Sequence, residues 1–249
     1  KQNKIKVISN AGGVNLDACK KALSNKAKKE NINLKIITVE GDDLSGIQKD
    51  LQKMSIKEID SGKKLPENLL SINAYLGAPG IKRALDLGAD IVITGRCVDS
   101  ALALGPLMYE FNWKENEYDL LASGSLAGHI IECGAQSTGG NFTDWEIIDN
   151  FEDIGFPIVE VEENGEFIVT KPEGTGGIVN FGTIAEQLLY EIGDPGAYIL
   201  PDVICDFTNV NINNLGNDVV HVSGAKGYPA TTSYKVSATY HDGFKSIAT

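Results

Sequence analysis

The residues best suited to chemistry fall in a few short strings. Gly95, Arg96, Cys97, Val98, Asp99 and Ser100 follow directly on an apolar run. Arg83 and Arg96 are the only arginines among the 22 basic residues. A guanidinium at the end of a buried strand can grip a carboxylate or phosphate through two parallel hydrogen bonds. The structural alternative is an ion pair from Arg96 to Asp99 or Asp42 that only orders loops. Asp42 and Asp99 are candidate general bases. Asp42 and Asp43 could equally bind a hard cation or cap the helix that begins near Leu44. Cys97 reads as a packing residue, because no His lies near it in the chain.

His129, Glu132 and Cys133 have i, i+3, i+4 spacing and share one helix face. His129 with Glu132 could be an oriented acid/base pair, half of a divalent-metal site, or a structural contact. No HEXXH and no CxxC occurs among the 249 residues, which disfavours a zinc hydrolase. The glycine-rich stretches 134–141 and 174–182 could present backbone N–H groups to an anion. Gly139, Gly140 and Asn141 are the candidates in the first, and ordinary loop geometry is the alternative in both. Neither stretch fits a phosphate-binding P-loop or a strict GxGxxG fingerprint, so no nucleotide cofactor is expected.

Elements must bring these residues together. Apolar runs at 5–8, 34–39, 70–75 and 90–94 each lead into a turn and then a helical pattern, at 15–30, 44–54, 80–87 and 100–111. Such alternation predicts βαβ units around a parallel, doubly wound, Rossmann-like sheet. Ligands bind such sheets at the carboxyl ends of the strands. The turns 10–13, 40–43, 73–78 and 94–100 would then meet on one edge, offering Asn10, Asp42, Asp43, Asn73, Tyr75, Arg96 and Asp99. Beyond Phe111 the pattern changes. Residues 119–136 read as a closely packed helix of small residues, 157–162 and 166–170 as a β-hairpin, 183–192 as a helix, and 202–249 as mostly β. This divides the chain into an α/β core, 1–145, and a β-rich extension, 146–249, packed on the same domain.

Taken together, these strings resemble the acyclic terpene utilisation protein AtuA family. The resemblance rests on SNAGGVN (9–15), VEGDD (39–43), INAYLGAPGIKRALDLGADIVITGRCVDSALALGPL (72–107), LASGSLAGHIIECGAQSTGGNFTDW (121–145) and TSYKVSATYHDG (232–243). It implies a role in breaking down acyclic terpenes, whose intermediates are branched acyl-CoA thioesters. It also implies further sequence before Lys1 and after Thr249, and the chain reads as a fragment. It assigns no catalytic role to any residue. The expected function is a lyase or hydratase acting on a branched acyl-CoA or branched acid. Asp42 or Asp99 would be the base, His129 and Glu132 an acid/base or metal pair, and Arg96 the anion clamp. Asn10, Asn73, Gly139, Gly140 and Asn141 would help to bind substrate. The alternative is a non-catalytic acyl-CoA-binding or scaffold subunit.

Composition limits the partners. With 22 basic and 34 acidic residues the net charge is −12, which disfavours nucleic acid. At 42% hydrophobic and 22% charged, the chain has an ordinary globular composition. No run approaches the roughly 18 apolar residues of a membrane span. Four scattered cysteines and no secretory leader point to the cytoplasm. The residues leave metal binding and homo-oligomer formation open.

Overall fold

The computed structural model describes residues 5–246. The strand-like run that ends at Thr249 therefore lies partly outside the described residues. The first elements follow the expected alternation: β1 (Val7–Ser9), α1 (Leu16–Lys29), β2 (Ile36–Val39), α2 (Gln48–Lys53), β3 (Leu69–Ala74), α3 (Pro79–Asp86), β4 (Ile91–Thr94) and α4 (Ala101–Glu110). Asn15 caps α1 by accepting from Ala18 N, and Pro79 opens α3 where its missing N–H costs nothing.

The parallel sheet has three strands in the order β1-β4-β2. Register and the two-residue period of a strand decide its faces. Ile8, Val92 and Ile37 lie side by side and pack into the main core. Ile93 points the other way, towards Leu16 of α1, as the space around Gly12 shows. The expectation of a fourth parallel strand is corrected at β3, which pairs antiparallel with the late strand β12 (Val236–Tyr240). The reason is visible in its residues. Ile72 and Ala74 are buried, while Ser71 is exposed and its hydroxyl bonds to Thr239. This is the alternation of a half-solvated antiparallel strand, not the continuous apolar run of a buried parallel one.

The second half opens with α5 (Tyr118–Glu132), which passes into a 3₁₀ turn, Gly134–Thr138. Every residue from Leu121 to Ile130 is buried, so α5 is a central helix without a solvent face. Around it lie the hairpin β5 (Ile158–Val161) and β6 (Phe167–Thr170), then α6 (Phe181–Leu189), β7 (Tyr198–Ile199), β8 (Val203–Asp206), β9 (Asn211–Gly216), β10 (Val219–Ser223) and β11 (Lys226–Pro229). They build two antiparallel sheets, β5-β6-β10-β9 and β11-β8-β7. One hydrophobic cluster joins both halves, from Ala78 and Ile81 through Leu126 and Ile130 to Phe167, Val203 and Val220. Among the described residues no helix is long and apolar enough to cross a membrane.

The closest approach that matters for the site is between α5 and the start of α4. A Cβ built on Gly128 would lie 2.6 Å from Ser100 O and 2.7 Å from Ser100 Cα, which is backbone that cannot swing aside. Alanine should add about 1 kcal/mol of helix propensity at that position. Forcing a methyl into a filled contact costs about 1–3 kcal/mol. We expect the clash to win: Gly128→Ala should melt a few degrees below the wild type in a calorimetric scan. A melting temperature equal to or above the wild type would contradict this contact.

Candidate active site

The four expected turns do meet. β1 ends at Ser9, and the chain then folds back over the end of β4, where Gly12 N donates to Thr94 O at 3.1 Å. A Cβ on Gly12 would sit 2.6 Å from that carbonyl, so only glycine allows the approach. The turn presents Asn10, whose Nδ2 donates to Asp99 Oδ1 at 2.8 Å. Asp99 directly precedes Ser100, the residue that touches Gly128. One helical turn beyond Gly128 lies Glu132. The Gly128 contact therefore delivers the α5 carboxylate beside the α4 one.

Glu132 is itself held. His129 Nδ1 lies 2.9 Å from Glu132 Oε1, and the imidazole is 2% exposed. With its proton on Nδ1 the ring donates to the carboxylate. His129 Nε2 is buried and has no partner. Two cavities flank the pair of carboxylates. One, of about 450 Å³, is lined by Tyr75, Asp99, Ser100, Glu132, Tyr198 and Lys235, among others. The second, of about 380 Å³, is lined by Asn10, Asp99, Gly128 and Glu132 with apolar neighbours. Asp99 and Glu132 line both.

Positive charge lies at the margin. The Arg96 guanidinium carbon is 5.9 Å from the centroid of the Tyr75 ring, and Arg96 is exposed. Tyr75 N donates to Lys235 O at 3.0 Å, which brings the β12 end of the chain to the same wall. Among the described residues no carboxylate pairs with the Arg96 guanidinium, so the ion pair weighed from sequence is not formed.

Other expected residues are placed elsewhere. Asp42 is 6% exposed; its Oδ2 accepts from Asn73 Nδ2 at 2.9 Å and from Arg96 N at 2.7 Å. Asp42 and Asn73 thus tie three strand ends together and line neither cavity. Asp43 accepts from Ser45 N at 2.9 Å, and that bond holds its carboxyl below the usual range. Gly139 N and Gly140 N donate to Gln136 O and Ala135 O, which closes the 3₁₀ turn; they and Asn141 line neither cavity. In the second glycine stretch Gly176 N and Gly177 N donate to Asp153 O and Ile154 O, while Asn180 and Thr183 form a capping box on α6. Cys97 is buried against Thr94, and burial pushes its thiol up, as packing requires and nucleophilic work does not. Among the described residues no three His, Cys, Asp or Glu side chains are grouped to hold a metal ion.

Comparison with known proteins adds one match. Residues 1–249 match the family model for the acyclic terpene utilisation family protein AtuA. The chain belongs to this family. No curated protein and no solved structure matches it. The family is named for acyclic terpene utilisation, and the chemistry of this member has to be read from the cleft itself.

Sequence reasoning missed Tyr198, Lys235 and Asp202. The first two reach the site from about 100 and about 140 residues beyond Asp99, through β7 and the β12 ribbon; Lys235 lies in the string 232–243, but nothing local points either residue at this cleft. Asp202 braces the site from behind. Both of its carboxylate oxygens accept from Ala78 N, at 3.1 and 2.9 Å, where α3 begins. Burial, against the opposing effect of that bond, raises its pKa to about 6. A carboxyl pKa raised in the folded state adds stability below its unfolded value, and this is lost as pH rises through the folded one. The stability gap between Asp202→Asn and the wild type should therefore shift in favour of the variant between pH 4 and pH 7, by up to roughly 3 kcal/mol. Chemical denaturation at several pH values measures it, and parallel pH profiles would refute the assignment.

Proposed function

We propose that this AtuA family protein is a cytoplasmic enzyme of acyclic terpene or related branched acyl-CoA catabolism, a lyase or hydratase. The observation that carries this reading is the convergence of Asp99 and Glu132 on the same two cavities. Each carboxylate is fixed by a neighbouring side chain, Asn10 or His129. Adding or removing a proton beside a thioester carbonyl needs a positioned base and a partner for the developing oxyanion. Two held carboxylates at one cleft supply the acid and the base. The branched acyl chain would enter the larger cavity between Tyr75, Tyr198 and Leu200.

Arg96 and Lys235 flank Tyr75 at the margin, where the anionic end of a CoA ester would lie. In this reading the carboxylates in the cleft do the chemistry, and the basic side chains beside Tyr75 take the phosphates. The cytoplasmic setting is supported by four free cysteines. The doubly wound arrangement is supported by the path of the chain, from β1 out to the edge strand β2 and back to the middle strand β4, because right-handed crossovers of opposite sense put their helices on opposite faces. The single core cluster supports treating 1–145 and 146–249 as parts of one domain.

The test is an activity screen of the protein against branched enoyl-CoA esters, followed by loss of enoyl thioester absorbance. Glu132→Gln should lower kcat by about 10²–10⁴-fold, the range of a lost acid/base group. Arg96→Ala should raise KM with kcat nearly unchanged, because it removes binding and not chemistry. Full activity in Glu132→Gln would refute the catalytic role. Binding of CoA esters by the wild type without turnover would favour the accessory-subunit alternative.

A further inference from the structure

Tyr198 opens β7, and its ring packs against two others. The His129 ring lies 6.1 Å away by centroid, tilted by 54°, and the Phe207 ring 6.1 Å away, tilted by 44°. β7 pairs with β8 through Tyr198 and Cys205, so the backbone is anchored as well. The same His129 holds Glu132. The phenol and the carboxylate are thus referred to one buried imidazole.

The Tyr198 hydroxyl makes no hydrogen bond among the described residues. It is also absent from the sealed, unpartnered polar atoms, which are Ser125 Oγ, His129 Nε2 and Gln136 Oε1. Tyr198 is thus a half-buried side chain on the wall of the larger cavity whose hydroxyl is neither paired nor sealed. The carboxylate that acts as base can only accept hydrogen bonds, and the one that acts as acid gives its proton away, so neither is a standing donor to an oxyanion. The site needs a donor as well. Of the other donors on this wall Lys235 and Tyr234 are exposed, the Tyr75 ring lies under the Arg96 guanidinium, and a serine hydroxyl such as that of Ser100 is a weaker acid than a phenol.

Resting on the proposed function, we infer that Tyr198 is the hydrogen-bond donor to the carbonyl oxygen of the substrate. When a carboxylate removes the proton next to the carbonyl, the C–H bond breaks and its electron pair forms the enolate double bond. The carbonyl π pair moves onto the oxygen. The proton stays on the carboxylate, and Tyr198 keeps its own proton while it donates to the oxyanion. Burial, with the charge of Glu132 next in size, pushes the Tyr198 pKa up to about 12. The phenol is therefore a donor at every working pH. The fixed ring means that the donor needs little reorganisation as charge develops.

The experiment is exchange of the α-protons of a saturated branched thioester, 3-methylbutanoyl-CoA, in D₂O, followed by mass spectrometry. Tyr198→Phe keeps the ring and its packing and removes only the hydroxyl. We expect a melting temperature close to the wild type and an exchange rate lower by about 10²–10³-fold, the cost of one oxyanion donor. The carbonyl stretch of the bound thioester should shift to lower frequency in the wild type and recover in Tyr198→Phe. Exchange by Tyr198→Phe within twofold of the wild type, with an unmoved carbonyl band, overturns the role of Tyr198 and leaves the proposed function standing. No exchange by the wild type overturns both.

Discussion

The site depends on one steric fact: at Gly128 the central helix lies directly on the backbone of Ser100. Any side chain there would hold α5 off the start of α4. Asp99 is one residue before that contact and Glu132 one helical turn after it, so the spacing of the helix sets the spacing of the carboxylates. The rest of the fold keeps α5 in place. The antiparallel sheets, α6 and α4 surround it, and its ten residues from Leu121 to Ile130 are all buried. A helix with no solvent face has little freedom to rotate, and so its last-turn side chains are aimed reproducibly.

Charge is arranged around that contact in layers. Deepest is His129, an imidazole with one nitrogen on Glu132 and the other sealed without a partner. The two carboxylates line both cavities, Asp99 being exposed. Tyr198 adds a phenol that remains protonated. Lys235 lines the larger cavity and Arg96 lies over Tyr75 at its margin. Asp42 and Asp202 carry charge for architecture: one binds three strand ends, and the other holds the α3 N-terminus against the β7–β8 turn. The acidic groups near the site thus have two distinct tasks, separated by whether they face backbone N–H groups or open space.

Local pattern made the order of elements legible. The alternating runs located β1, α1, β2, α3, β4 and α4 to within a few residues, and the hairpin and α6 likewise. The strand-end edge was legible too, because parallel βαβ units place their turns on one side. The small residues of α5 signalled close packing, and the three-residue spacing of His129 and Glu132 signalled their contact. What failed was long-range pairing. β3 looked like a parallel strand because Leu70, Ile72 and Ala74 are apolar; its partner β12 lies more than 160 residues on, beyond any window. Asp42, Gly139 and Gly140 were attractive by residue type, but type alone cannot say whether a group spends its hydrogen bonds on its own fold. Tyr198 was invisible because a two-residue strand has no periodicity to read.

The central claim is that Asp99 and Glu132 act on one substrate in one cleft. A double-mutant cycle tests it most directly, with thioester turnover measured for Asp99→Asn, Glu132→Gln and the double variant. Residues that act as a unit are strongly non-additive. The account predicts that the double variant loses little more activity than the worse of the two single ones. Losses that multiply would show that the two carboxylates work independently and would contradict the shared site.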